Sequence, residues 1–419
     1  MDKTRTSGIV ALGAVALTAI AGCSAGAGEA DRTELTLWLT TQEPNQREAL
    51  DALVAAYEDK GDVTIAIEER SVDQHKDAMR QIAGTGSGPD LYWYWEGSGL
   101  GGELVDVGMS LDLTDYYAQY GWEDRFTTAS LAGITQYGGF HGVPWTLQGE
   151  GVYYNKELFA QAGIEEEPAT YGELLDAADA LVAAGITPIE FGGTVNWDVM
   201  RLLDSLIETQ CGAKTADELN TGDGDWGAEM CVTDAFTELA AWGDEYLNAG
   251  FMGISADDAA QLFFSGQAAM SLEGTWYNAQ VVDNGLDPES VGVFPFPTGT
   301  DRLYGFGEAY YVSAATDHPD EAAAFLDFLT SEEGQEIAGS NWGALSVNEN
   351  VPVDGGNPLN AVWADIFAAS DAGMYTNNDQ NFSTAETTEY WRIQNSVLTD
   401  DLDPADAGAE FQAYRDANG

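Results

Sequence analysis

The sequence predicts an α/β protein built as two lobes, and three observations carry that prediction. A strand–helix–strand order opens near Glu34, the same order restarts near Thr170, and no internal repeat relates the two stretches. The third is size: 419 residues, 44% hydrophobic and 11% aromatic, are enough to bury more than one core. At roughly 100–200 residues per domain the length suits two or three units.

Taken in order, Leu35, Leu37 and Leu39 alternate along a first strand. Asn45, three residues ahead of Glu48, then reads as a capping-box helix start. Leu50, Leu53, Val54 and Tyr57 follow at helical spacing, and Lys60-Gly61 ends the helix. Val63, Ile65 and Ile67 make the next strand, so a right-handed crossover and a largely parallel sheet are expected. Thr170 and Glu173 form a second capping box, with Leu174, Leu175, Ala178, Leu181 and Val182 on one face. Gly185 stops that helix and Ile186 to Phe191 reads as a strand. Asp320 to Leu329 carries another helix, and the chain after Ser383 reads as helical with a break at Asp403-Pro404.

The N-terminus has the layout of an export signal. Lys3 and Arg5 precede an apolar run, Ile9 to Ala21, too short to span a bilayer. The run ends in Ile20-Ala21-Gly22-Cys23, which resembles a bacterial lipobox. Residues 1–22 are then expected to be removed, Cys23 to carry palmitate-type acyl chains, and 23–33 to be a tether. Membrane attachment is expected through that lipid alone, on the outer face of the cell membrane. Cys211 and Cys231 remain as an even pair in an oxidising compartment, and a disulfide stapling the Gly-Asp-rich loop between them is expected. Asp223 and Asp225 in that loop fail the EF-hand spacing, and no metal or cofactor is expected.

Fifteen Lys plus Arg against 71 Asp plus Glu give a net charge of −56. Such a chain lacks the clustered cations that contact with nucleic-acid phosphates requires, so no nucleic-acid partner is expected. The acidity itself reads as surface solvation.

Function is carried by aromatics in unusual company. Twelve Trp and eighteen Tyr include Tyr92-Trp93-Tyr94-Trp95-Glu96, Pro144-Trp145, Asn196-Trp197-Asp198, Gly274-Thr275-Trp276, Asn341-Trp342 and Tyr390-Trp391. A flat ring covers the C–H face of a pyranose, while carboxylates and amides bond its hydroxyls.

Four ordered stretches then carry a resemblance. They are Gly88-Pro89-Asp90; Gly142-Val143-Pro144 with Tyr153 to Phe159 and Pro168 to Leu174; Phe264 to Met270 with Gly274-Thr275-Trp276; and Ala322 to Gly334. In these the chain resembles the extracellular solute-binding proteins of bacterial ABC importers, in the carbohydrate-binding, maltose-binding-protein-like group. The resemblance implies a two-lobed periplasmic-binding-protein type II fold with the ligand cleft between discontinuous α/β lobes. Residues 34–143 plus 308–345 would form the first lobe, and 144–307 plus 346–419 the second. It implies a monomer that binds a mono- or oligosaccharide by hinge closure and hands it to ABC permease transmembrane subunits.

Carried over by position, Gln42 and Glu43 follow the first strand at polar contact sites. Tyr94 takes an aromatic contact position beside Trp95 and Glu96. Gln148 stands where maltose binders have a carboxylate, and Trp276 and Trp391 take stacking positions. Trp197, Asp198, Glu308 and Trp342 lie in cleft-facing segments. Two other classes share parts of this chemistry. An extracellular glycoside hydrolase needs two carboxyls across a glycosidic oxygen. A polyamine-type cation binder needs an aromatic box with several carboxylates. His75, His141 and His318 lack a nucleophile partner and read as structural or surface residues.

Overall fold

The computed structural model describes residues 32–353, 355–370 and 373–418. The signal segment and Cys23 lie outside the described residues. Among the described residues no helix is long and apolar enough to cross a membrane.

Among the described residues nine strands form one continuous ladder: β1 (Thr33–Thr40), β2 (Val63–Arg70), β3 (Leu91–Trp95), β4 (Val143–Asn155), β5 (Thr187–Glu190), β6 (Ala268–Gly274), β7 (Val291–Phe294), β8 (Leu303–Val312) and β9 (Met374–Tyr375). The path runs β2-β1-β3-β8-β4-β6-β5, with β7 on β4 and β9 on β8. The expected parallel pairing holds for β1 with β2 and β3 and for β5 with β6. In the middle it gives way to antiparallel β3–β8, β8–β4 and β4–β6 pairs. The sheet is therefore mixed rather than largely parallel. Local periodicity reports the crossover helices but not the direction in which a distant strand such as β8 returns.

β4 and β8 are the long strands, and each runs through more than one core, Leu303 of β8 packing with Tyr153 of β4 and Trp363 at the far end. Val143 and Trp145 of β4, with Tyr310 and Val312 of β8, pack into a first core around Leu35, Leu50, Phe325 and Leu329. Val152 and Tyr154 of β4 pack into a second core around Leu203, Trp226, Leu239 and Phe411. The two lobes are thus joined through the middles of these strands. There Gly149 faces Gly305 and Leu147 faces Gly307 in register. A Cβ on Gly305 would come within 2.1 Å of the Gln148 carbonyl oxygen, so the close approach needs glycine.

Local expectations meet the structure with three corrections. The first helix, α1 (Pro44–Glu58), starts with Glu43 as its N-cap and not with Asn45. Pro44 has no N–H and suits the first helical position, which moves the start forward, and Glu43 N–H donates to Gln46 Oε1 at 3.1 Å. The capping box at Thr170 and Glu173 is present, opening the helix Tyr171–Ala183. Its buried face is Leu174, Ala177, Ala178 and Leu181, whereas Val182 is 48% exposed. Cys211 and Cys231 do form a disulfide. They join two helices, Asn196–Thr221 and Met230–Glu245, rather than the ends of one long loop. Gly212, with φ +70°, breaks the first of these beside Cys211. Asp225 accepts from the backbone of Gly227 and Ala228, a turn-forming role.

Candidate functional site

A cleft of ≈ 280 Å³ opens where the lobes meet, and its floor is the pair of crossover strands. Trp145, Gln148 and Glu150 of β4 line it together with Phe306, Glu308 and Tyr310 of β8. Residues two apart share a face of a strand, so Phe306, Glu308 and Tyr310 reach the same cleft; on β4 the irregularity between Pro144 and Thr146 shifts the parity, so Trp145 joins Gln148 and Glu150 there. The first lobe adds Gln42 and Glu43 after β1, Lys76 of helix α2 (Val72–Ile82), Trp93 and Trp95 of β3, and Trp342. The second lobe adds Trp197, Arg201, Trp276 and the turn Asn377 to Gln380.

The aromatic walls are set at angles to one another. Trp93 and Trp95 meet edge to face at 4.5 Å and 67°, and Trp145 and Trp342 do so at 5.2 Å and 68°. Such pairs present two differently oriented planes to the cleft.

A hydrogen-bond hub holds the polar floor in place. Gln148 Nε2 donates to Trp342 O at 2.7 Å, Glu308 Oε2 at 3.1 Å and Thr146 Oγ1 at 3.2 Å. Thr275 donates to Gln148 Oε1, and Thr146 donates to Glu308. Trp342 Nε1 donates to Gln42 Oε1 at 2.5 Å. The hub ties first-lobe loop, crossover strand and second-lobe Thr275 together. Burial pushes the Glu308 carboxyl up to about 7, against the hydrogen bonds from Thr146 and Gln148.

Beside the hub lies an ionic cluster around Arg201, which is 5% exposed. Its guanidinium is 3.0 Å from Glu150, 3.3 Å from Asp198 and 2.8 Å from Glu273. It also lies over the rings of Trp197 and Trp276. Burial pushes Glu150 up to about 8, with Arg201 opposing and Glu273 adding to the rise. Asp198 rises to about 7, again mainly by burial. Glu43 is raised by burial and by Asp257 and Asp283.

Of the twelve expected contact residues, the fold brings Gln42, Glu43, Trp95, Gln148, Trp197, Trp276, Glu308 and Trp342 to the cleft wall. Four take other places. Tyr94 is 3% exposed and packs with Met79, Leu104 and Ile134 on the far side of β3. Trp93, one residue earlier, takes the cleft side, and strict alternation with Trp95 is the signal that finds it. Glu96 is buried against Gly133 and Gly307 and pushed up to about 8 by burial and by Glu308. Asp198 accepts from Gly192 N–H at 2.6 Å and pairs with Arg201, supporting the cleft from behind. Trp391 packs against the second core, with Nε1 3.0 Å from Met200 Sδ. Arg201, Lys76, Glu150 and Asp379 also line the cleft. Sequence reasoning passed over them because no local pattern separates them from other charged residues. His75 is buried, donates from Nε2 to the Trp93 carbonyl at 2.8 Å and is lowered to about 4 by burial, a structural role.

Two α/β lobes strung on crossover strands, with an aromatic and amide-rich cleft at the joint, define a two-lobed solute-binding architecture. Residues 43–336 match the bacterial extracellular solute-binding protein family, and the chain belongs to it. It is 27% identical over 274 residues to the multiple sugar-binding protein of Streptococcus mutans, covering 61% of this chain and 63% of that protein. It is 23% identical over 323 residues to the maltodextrin-binding protein MdxE of Bacillus subtilis, covering 75% and 73%. The matched stretch spans between half and two thirds of the first curated relatives. Among solved structures, a chitin oligosaccharide binding protein superposes with TM-score 0.84 at 24% identity, covering 93% of this chain and 99% of that one. Maltose-bound MalE3 of T. maritima superposes at 0.75 with 18% identity, covering 92% and 99%. These likenesses establish the two-lobed fold. The family and these neighbours are binding proteins rather than enzymes.

Proposed function

We propose that this protein captures a sugar or oligosaccharide in the inter-lobe cleft and delivers it to ABC permease subunits as a monomeric, Cys23-anchored lipoprotein outside the cell membrane. The observation that carries the reading is the cleft wall itself. Six side-chain amides, Gln42, Gln46, Gln148, Gln280, Asn377 and Gln380, stand among Trp93, Trp95, Trp145, Trp197, Trp276 and Trp342, contributed by both lobes. Amides donate and accept at once, which suits hydroxyls, and indole faces suit pyranose C–H faces. A solute touching both walls stabilises the closed arrangement by its differential contacts, which is hinge closure. The hinge of this reading lies where β4 and β8 pass between the lobes, near Gly149 and Gly305; the expected limit at 143/144 falls instead at the first residue of β4, ahead of Trp145, which packs in the first core.

The names of the sugar-binding relatives support the ligand class. Titration of the intrinsic Trp fluorescence with mono- and oligosaccharides tests it, with a saturable shift at micromolar sugar expected. A flat response to every sugar together with a response to spermidine would overturn the sugar class. Release of reducing ends from an oligosaccharide would instead make the protein a hydrolase.

A further inference from the structure

The cleft is short of cations. Glu43, Glu150, Glu308 and Asp379 face it, against Lys76 and Arg201. Both cations are already engaged: Arg201 with Glu150, Asp198 and Glu273, and Lys76 at 3.8 Å from Asp379. Glu308 is met by the neutral donors Thr146 and Gln148.

The unpartnered atoms point the same way. Among the described residues, the buried side-chain atoms of the cleft wall that lack a hydrogen bond are both oxygens of Glu150 and Oδ1 of Asn377. Glu150 Oε1 does lie 3.0 Å from Arg201 Nε, too far off line for a hydrogen bond, and Oε2 has no partner. Glu150 is 0% and Asn377 7% exposed. Asn377 Oδ1 is an acceptor, and Glu150 offers two more once ionised, so the cleft is built to receive donors. A neutral sugar would supply hydroxyl donors but leave the charge excess standing. A bare polyamine would meet the charge but leave the glutamine amides without matching hydroxyls.

Resting on the sugar reading above, we propose that the solute carries a protonated amine: a free hexosamine, or an oligosaccharide containing one. The ammonium sits at the Glu150–Asn377 side of the cleft, giving its N–H donors to the unpartnered oxygens with the aromatic faces beside it. The proton balance follows from the geometry. Glu150 is faced by Arg201, Glu273, Asp204 and Asp379, and its carboxyl is held up to about 8, mainly by burial. Glu308 is faced by Glu96 and held up to about 7. An arriving cation favours the ionised carboxylate, so a proton leaves the cleft for buffer as the amine binds.

Isothermal calorimetry at neutral pH, in phosphate and in Tris, reads both affinity and proton release. The probes are matched sets: glucosamine, galactosamine and glucosamine oligomers, each beside its N-acetyl and its hydroxyl counterpart. The expected result is an amine bound about thirtyfold tighter than either counterpart, a factor equivalent to about 2 kcal/mol. Binding enthalpy should differ between the buffers in the sense of proton release. Glu150→Gln should cut the amine's advantage about tenfold, with its melting temperature recorded alongside, whereas the proton release is read on the unaltered protein. Neutral counterparts bound as tightly as the amines, or binding without proton release, would overturn this inference and leave the sugar reading standing. Binding of no sugar, amine or neutral, would overturn the sugar reading itself and this inference with it.

Discussion

Arg201→Met puts the ionic cluster of the cleft to a direct test in the ligand-free protein. Methionine fills a similar volume but removes the cation that stands 2.8–3.3 Å from Glu273, Glu150 and Asp198. Removing one partner of a buried ion pair costs about 3–5 kcal/mol, because the other charge stays buried without compensation. The loss has a definite pH dependence. Glu150 is pushed up to about 8 from 4.5, and Asp198 to about 7 from 3.8, burial being the main cause. The folded protein thus keeps protons that the unfolded chain releases. The stability these carboxyls contribute is fully present below about pH 4 and is lost as pH rises towards 8, by at most about 1.4 kcal/mol per pH unit for each group. Without the guanidinium both carboxyls rise further, so the variant loses more at high pH than the parent does. Urea unfolding of both proteins at pH 5 and pH 7.5 measures this. The expected difference is about 3–5 kcal/mol at pH 7.5 and clearly less at pH 5. A loss below about 1 kcal/mol at pH 7.5, or an equal loss at both values, would refute the reasoning.

Three further outcomes follow from burial and connectivity. Trp276→Ala should weaken solute binding by about 1.5–3 kcal/mol in a fluorescence or calorimetric titration, with a smaller drop in melting temperature than Trp391→Ala gives. Trp391→Ala should do the reverse, destabilising the second lobe by about 3 kcal/mol without loss of binding once folded, because that ring packs on the core and on Met200. Replacing both Cys211 and Cys231 by Ser opens a link across a sequence separation of 20 and should cost about 3 kcal/mol. A melting curve of the parent with and without reductant should show the same drop.

Much of the secondary structure was legible because its signals are local. The capping box at Thr170 and Glu173, the alternating Leu35, Leu37 and Leu39, and the proline break at Pro404 each act within a few residues, and each element lies where those residues put it. The ordered motifs likewise sufficed to name the family. Where local signals competed, the stronger one won: Pro44 overrode the capping box read at Asn45. The tryptophan-rich β3 shows the limit of local reading. Alternation says that Trp93 and Trp95 share one face and Tyr92 and Tyr94 the other, but not which face meets the cleft. Only the pairing of β3 with β8, more than 200 residues away, decides that.

What the sequence determined by itself, then, is an acidic α/β chain of the solute-binding family, with β1, β2, β5, the helices Pro44–Glu58, Tyr171–Ala183 and Pro319–Leu329, the helical C-terminal stretch and the cysteine pair in place. Tertiary structure alone decided the mixed direction of the sheet, the meeting of Gln148 and Glu308 on adjacent crossover strands, and the gathering of Glu150, Asp198 and Glu273 around Arg201. The physical reason is range. Caps, turns and periodicity are energies between near neighbours along the chain. The site is made by contacts between residues tens to hundreds of positions apart, and whether a carboxylate is solvated or buried beside a cation depends on packing that no local pattern encodes.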